Sequence, residues 1–104
     1  MSDDEYQWDQ SARIRCLRDY LGLGANELAA ALKLSLRSYQ RFESGGAAIP
    51  TGVLDDVAAL VHRLDELAGD YASRDALSID GMTPFELRAA GIAAAANPEL
   101  RIDQ

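Results

Sequence analysis

Cysteine and histidine occur once each in this 104-residue chain, as Cys16 and His62. A single cysteine excludes an intrachain disulfide framework, and with one histidine beside it no metal-ligand spacing exists. No apolar run approaches the roughly 18 residues that a membrane span needs. The opening MSDDEYQWDQ is acidic where a secretory signal would be basic and then apolar, so the sequence reads as cytoplasmic, with no membrane partner. Also missing are a nucleophile paired with a base, carboxylates paired in an apolar pocket and a glycine-rich phosphate loop following a strand. The chain therefore reads as non-enzymatic, with no small-molecule cofactor. Internal repeats are absent, and the alanine run at 93–96 is the one stretch of low complexity.

What is present favours helix. Apolar residues make up 48% of the chain, mostly alanine and leucine, and β-branched residues are few outside short runs. The length suits one small domain near the lower end of independent stability. Ile14, Leu17 and Leu21 fall on one face of a helix over about 10–21, which Gly22 and Gly24 end; Cys16 lies beside that face as a small packing residue. A short helix follows over about 25–32 with Leu28, Ala29 and Leu32 inward, and Gly24 with Glu27 gives it a weak cap. Lys33 and Leu34 make a tight connection to Ser35, the N-cap of a third helix to Ser44 with Tyr39 and Phe42 inward, stopped by Gly45 and Gly46.

Thr51 is an N-cap candidate for the longest helix, about 52–71, on which Val53, Leu54, Val57, Leu60, Val61, Leu64 and Leu67 form a wide apolar stripe. His62, beside that stripe, reads as a surface or rim residue. Residues 73–82 read as a loop with room for one short extended stretch. Thr83-Pro84-Phe85-Glu86 is a strong helix start, and Asn97-Pro98 stops that helix after Ala96. Residues 99–104 are extended or disordered. The expectation is an all-α fold of about five helices, in three parts: an acidic tail or helix lead-in over 1–9, a helical domain over 10–71, and a loop and C-terminal helix over 72–104.

A net charge of −7 counts against an anionic partner, but the charges are unevenly spread. Residues 1–10 and 51–104 are both acidic. Residues 11–50 hold Arg13, Arg15, Arg18, Lys33, Arg37 and Arg41 against Asp19, Glu27 and Glu43, for +3. That basic island contains two short helices joined by a tight turn, a unit small enough for a DNA major groove about 12 Å wide.

The segment LGANELAAALKLSLRSYQRFESGGAAIP, Leu23 to Pro50, resembles the helix-turn-helix of the Xre/Cro phage-repressor family. Glu27-Leu28-Ala29 opens the second helix, the small Ala29 stands where the two helices touch, Leu34-Ser35 fills the turn, and Phe42-Glu43-Ser44-Gly45 ends the recognition helix. The likeness covers roughly residues 11–64. It implies base contacts from Leu36, Arg37, Gln40 and Arg41, phosphate contacts from Ser35, Ser38, Ser44 and Asn26, and a structural pair between Arg18 and Glu43. The chain departs from the family at Ala25, where a phosphate-binding Gln is usual, and at Lys33, where a Gly usually makes the turn. SYQRFESGGAAIPTGV is also similar to a group of small regulators that includes anti-CRISPR-associated repressors, whose long helix and C-terminal segment form a dimer.

The resemblance thus implies a repressor that binds double-stranded DNA as a homodimer on a palindromic operator. The expected dimer interface is Leu60, Leu64, Leu67, Phe85 and Leu87, with the alanine run either a dimer seam or ordinary internal packing. An antitoxin that represses its own operon is a close variant. The alternative of another class is an acidic protein-interaction module on the same fold.

Overall fold

Apolar side chains recurring at three and four residues draw most of this chain into α-helix. The computed structural model describes residues 3–104, with side chains from Asp9 onward. The Tyr6 and Trp8 side chains of the acidic lead-in lie outside the described residues. The described residues form five helices, α1 (Asp3–Leu21), α2 (Ala25–Ala31), α3 (Leu36–Ser44), α4 (Thr51–Ala72) and α5 (Pro84–Ala96), and two short strands, β1 (Ala76–Ser78) and β2 (Arg101–Asp103). The fold is all-α, as the composition implies. No helix among the described residues is long and apolar enough to cross a membrane.

The chain divides into two compact units, Met1–Ala59 and Leu60–Gln104, with the division falling inside α4. In the first unit α1 and α2 both pack on α3, burying Ile14, Leu21, Leu28, Ala29, Tyr39 and Phe42; Val57 is buried as well. Helix α1 starts at Asp3, not near Gln10, so most of the segment read as a tail is helical. Carboxylates in a first turn sit favourably against the helix dipole, and Asp9 pairs with Arg13 one turn on at 3.6 Å. Cys16 is exposed rather than packed, because two residues of helix carry it to the far side from Ile14.

The turns follow the chemistry of their residues. Gly22 at φ 71° closes α1, with its N–H on the Asp19 carbonyl at 3.0 Å. The Gly24 N–H donates to Glu27 Oε1 at 3.0 Å and opens α2. Lys33 closes α2 in the left-handed region at φ 59°, donating to the Ala30 carbonyl at 3.1 Å while Leu34 N–H donates to that of Ala29 at 2.9 Å. Ser35 then caps α3, its Oγ accepting from the Ser38 N–H at 3.1 Å. Helix α4 differs from the expected start: the Pro50 carbonyl takes the Val53 and Leu54 N–H groups, at 3.0 and 3.4 Å, which places Thr51 inside the helix rather than at its cap.

In the second unit β1 and β2 run parallel, with Leu77 opposite Ile102, and α5 is the crossover between them. Parallel strands need a connection of about a dozen residues or more, which α5 supplies. Thr83 Oγ1 accepts from the Glu86 N–H at 3.2 Å and Glu86 Oε1 accepts from the Thr83 N–H at 2.9 Å, a reciprocal cap with Pro84 at the first helical position. Asn97 ends the helix and donates from Nδ2 to the Ala72 carbonyl at 3.0 Å. Leu64, Ala68, Tyr71, Leu77, Ala89, Ala90, Ala93 and Leu100 are buried, so the alanine-rich side of α5 through Ala93 serves internal packing.

Two substitutions test these local readings. Among the described residues, Ser11 Oγ is the buried side-chain polar atom with no hydrogen-bond partner. Ser11→Ala removes an unpaired buried hydroxyl and is expected to stabilise the protein by about 1 kcal/mol, read as a higher urea midpoint with an unchanged slope. For Lys33, a left-handed L-residue costs about 1–2 kcal/mol and glycine's extra unfolded-state entropy returns about 0.5–1. Lys33→Gly should therefore raise the thermal midpoint by about 2–4 °C in a calorimetric scan.

Candidate nucleic-acid interface

The residues of α3 divide by helical period. Tyr39 and Phe42 point inward, Glu43 is half-buried, and Leu36, Arg37, Gln40, Arg41 and Ser44 are exposed. Arg37, Gln40, Arg41 and Ser44 follow the spacing of three and four that sets side chains on one face. The four residues expected to touch bases thus occur together on the outer surface of one helix. Leu36, at its first turn, is 38% exposed. Arg41 leans over the end of α3, with Nη2 donating to the Gly46 carbonyl at 3.2 Å.

The inner side of α3 is tied to α1 through ionic hydrogen bonds. Arg18 Nε and Nη2 donate to Glu43 Oε1 and Oε2 at 2.5 and 3.3 Å, and Arg18 Nη1 donates to the Leu23 carbonyl at 3.3 Å. The expected Arg18–Glu43 pair is therefore present, and it is more enclosed than a surface pair, with side chains only 21% and 17% exposed. The Tyr39 hydroxyl also donates to Glu43 Oε1 from one turn away. Sequence reasoning placed Tyr39 in the core and missed this polar role, although its spacing of four from Glu43 is the signal that finds it.

Electrostatics follow from that enclosure. Burial alone would raise the Glu43 carboxyl, but hydrogen bonds from Arg18 and Tyr39, with the charges of Arg18 and Arg15, outweigh it and hold the group below the ordinary carboxylate range. The hydrogen bond to Glu43 is the largest cause of the raised Arg18 pKa. Burial, then the bond to Glu43, pushes the Tyr39 phenol well above its usual value.

The residues expected at phosphates are all exposed, at the ends of α2 and α3: Asn26 in the first turn of α2, Ser35 and Ser38 at the start of α3, Ser44 at its end. The two serines at the start form a closed local pair, Ser35 Oγ donating to Ser38 Oγ at 2.9 Å, and Ser44 Oγ donates to the Arg41 carbonyl at 3.2 Å. Their hydroxyls are engaged in shaping the helix ends.

The residues expected at a dimer interface all belong to the second unit and are not alike. Leu64 is fully buried within the chain, so it cannot also face a second copy; it belongs to the core. Leu60 and Leu67 are half-buried, and the half-buried Phe85 ring lies 5.8 Å from the Arg63 guanidinium. Leu87 is 42% exposed. Ile79 and Ile102, which sequence reasoning did not single out for an interface, line a surface groove with Leu87. His62 is a surface residue, with Nε2 2.8 Å from Glu66. No cluster suited to a metal ion occurs among the described residues.

Comparison with protein-family models, with curated proteins and with solved structures returns no match to this chain.

The tie has a pH signature. A carboxyl held below its unfolded value stabilises the fold above the unfolded pKa of about 4.3, and that contribution is lost as pH falls through the lower folded value. Glu43→Gln should cost about 2 kcal/mol at pH 7, and its deficit against the parent chain should shrink below about pH 4. Urea unfolding of both proteins at pH 7 and pH 3 checks this; an equal deficit at both would show that the ionised carboxylate is not what stabilises.

Proposed function

We propose that this chain is a sequence-specific regulator of transcription that binds double-stranded DNA, a repressor acting in the cytoplasm as a homodimer on a palindromic operator. The observation that carries the reading is the outer face of α3, where Arg37, Gln40 and Arg41 are exposed while Arg18, Tyr39 and Glu43 hold the opposite side. A helix entering a major groove needs both properties: exposed donors outside and a rigid seat inside.

On this reading Arg37 and Arg41 donate to guanine O6 and N7, Gln40 reads adenine, and Leu36 packs on a thymine methyl. Asn26 and Ser38 contact phosphates directly, and Ser35 and Ser44 do so once their hydroxyls turn away from Ser38 Oγ and the Arg41 carbonyl, all four setting register without reading sequence. One such unit spans few base pairs, so selectivity requires two copies on half-sites about 34 Å apart. The acidic parts, 1–10 and 51–104, repel phosphates and leave residues 11–50 as the attractive surface, so binding is oriented and sensitive to salt. An antitoxin that represses its own operon would use the same contacts.

Selection from a random double-stranded DNA pool at low salt should return a palindromic consensus. On that consensus Arg37→Ala and Arg41→Ala should each cost about 1–3 kcal/mol of specific binding, with helix content unchanged by circular dichroism. Unchanged affinity in the double variant would remove these residue roles. Recovery of no consensus would overturn DNA reading in favour of an acidic protein-interaction module.

A further inference from the structure

The two-stranded sheet of the second unit is three residues long, and β2 lies at one edge of it. Arg101 N–H donates to the Asp75 carbonyl at 3.1 Å, and Ile79 N–H donates to the Asp103 carbonyl at 2.9 Å. Residues 101 and 103 thus direct their peptide groups toward β1. Successive residues of a strand direct their peptide groups to opposite edges, which turns the N–H and C=O of Ile102 outward.

The side chains of β2 alternate across the sheet. Arg101 and Asp103 stand together, with Nε and Oδ2 3.5 Å apart and both side chains more than half exposed. Ile102, on the other face, lines an apolar groove of about 220 Å³ with Ile79, Leu87, Ala90, Gly91 and Ala94. Leu87 and Ile102 rank among the exposed large apolar side chains, at 42% and 38%.

We infer that β2 pairs with β2 of a second copy, antiparallel about a two-fold axis through Ile102, extending the two-stranded sheet to four strands. In that register Ile102 and the partner's Ile102 exchange both outward peptide hydrogen bonds. Arg101 then stands opposite the partner's Asp103, and Asp103 opposite the partner's Arg101. Opposite charges facing across strands stabilise pairing and like charges oppose it. The sequence Arg-Ile-Asp discriminates between registers: parallel self-pairing in register sets Arg101 against the partner's Arg101, and an antiparallel shift by two residues does the same. Only the register centred on Ile102 matches both charges and also uses its outward peptide group.

Three residues of strand are too few to hold a dimer unaided. The groove supplies apolar area, because both copies of Ile102 lie on its side of the sheet and the symmetry joins two grooves into one. Of the five interface residues expected from sequence, Leu87 is the one that lines this surface. This pairing provides the homodimer that the proposed operator reading draws on, and its test contains no DNA, so either can fail alone.

The test is sedimentation equilibrium of the full chain. The parent protein should be dimeric. Arg101→Asp and Asp103→Arg each place like charges at both crossings and should weaken the dimer about tenfold or more. Mixing these two variants restores both opposite-charge crossings and should restore a dimer of parent strength, as should the double swap R101D/D103R. The inference is overturned if the parent is monomeric at about 100 µM, if either single variant dimerises as the parent does, or if the mixture stays monomeric.

Discussion

Helix α3 has only nine residues and is flanked by turns, so its orientation is set by what lies under it. The main polar constraint is the Glu43 carboxylate, which accepts from Arg18 on α1 and from Tyr39 one turn back along α3. Arg18 reaches further, to the Leu23 carbonyl just before α2. One guanidinium therefore links the end of α1, the entry to α2 and the last turn of α3. Ionic hydrogen bonds in a partly dry setting are stronger than their exposed counterparts, and they are directional where apolar packing is not. Tyr39 and Phe42 give the helix its buried side, and the Glu43 network fixes its rotation about its own axis. Arg37, Gln40 and Arg41 are outward because of that rotation.

The second unit solves a different problem. Half of its buried side chains are alanine, three of them on α5, which lets that helix approach its neighbours closely but buries little apolar area per residue. The unit compensates with exact ends: a reciprocal cap at Thr83 and Glu86, a proline at the first helical position, and an asparagine that both stops α5 and bonds to the last carbonyl region of α4. The outer edge of β2 and the groove beside it are left open within one chain. Those are the features a second copy would complete, and a protein whose proposed ligand is a two-fold symmetric operator has use for a two-fold symmetric contact.

Much of this was legible in the chain because it is local. Ser35 before α3, Thr83-Pro84 with Glu86, the glycines after α1 and α3, and Asn97-Pro98 each act through groups within about four residues, so the sequence alone determined where most helices begin and end. The tight connection at Lys33 and Leu34 was legible for the same reason, whereas its left-handed backbone at Lys33 was signalled only by resemblance, through the Gly usual at that position. The tie between Arg18 and Glu43 was legible through resemblance, but its enclosure and the share taken by Tyr39 were not. The start of α1 was missed because an acidic, weakly apolar stretch carries no periodic signal, even though the helix dipole favours it.

Tertiary structure alone decided matters that depend on distant partners. A leucine stripe on α4 does not say which leucine is covered by its own chain, and Leu64 proved to be core while Leu60 and Leu67 stayed half-covered. Ala76–Ser78 and Arg101–Asp103 are each too short to be convincing strands by composition, and they become strands only by pairing with each other across the whole of α5. Capping and turn formation are paid for within a few residues and can be read there; burial and strand pairing depend on the opposing surface, and only the folded chain supplies it.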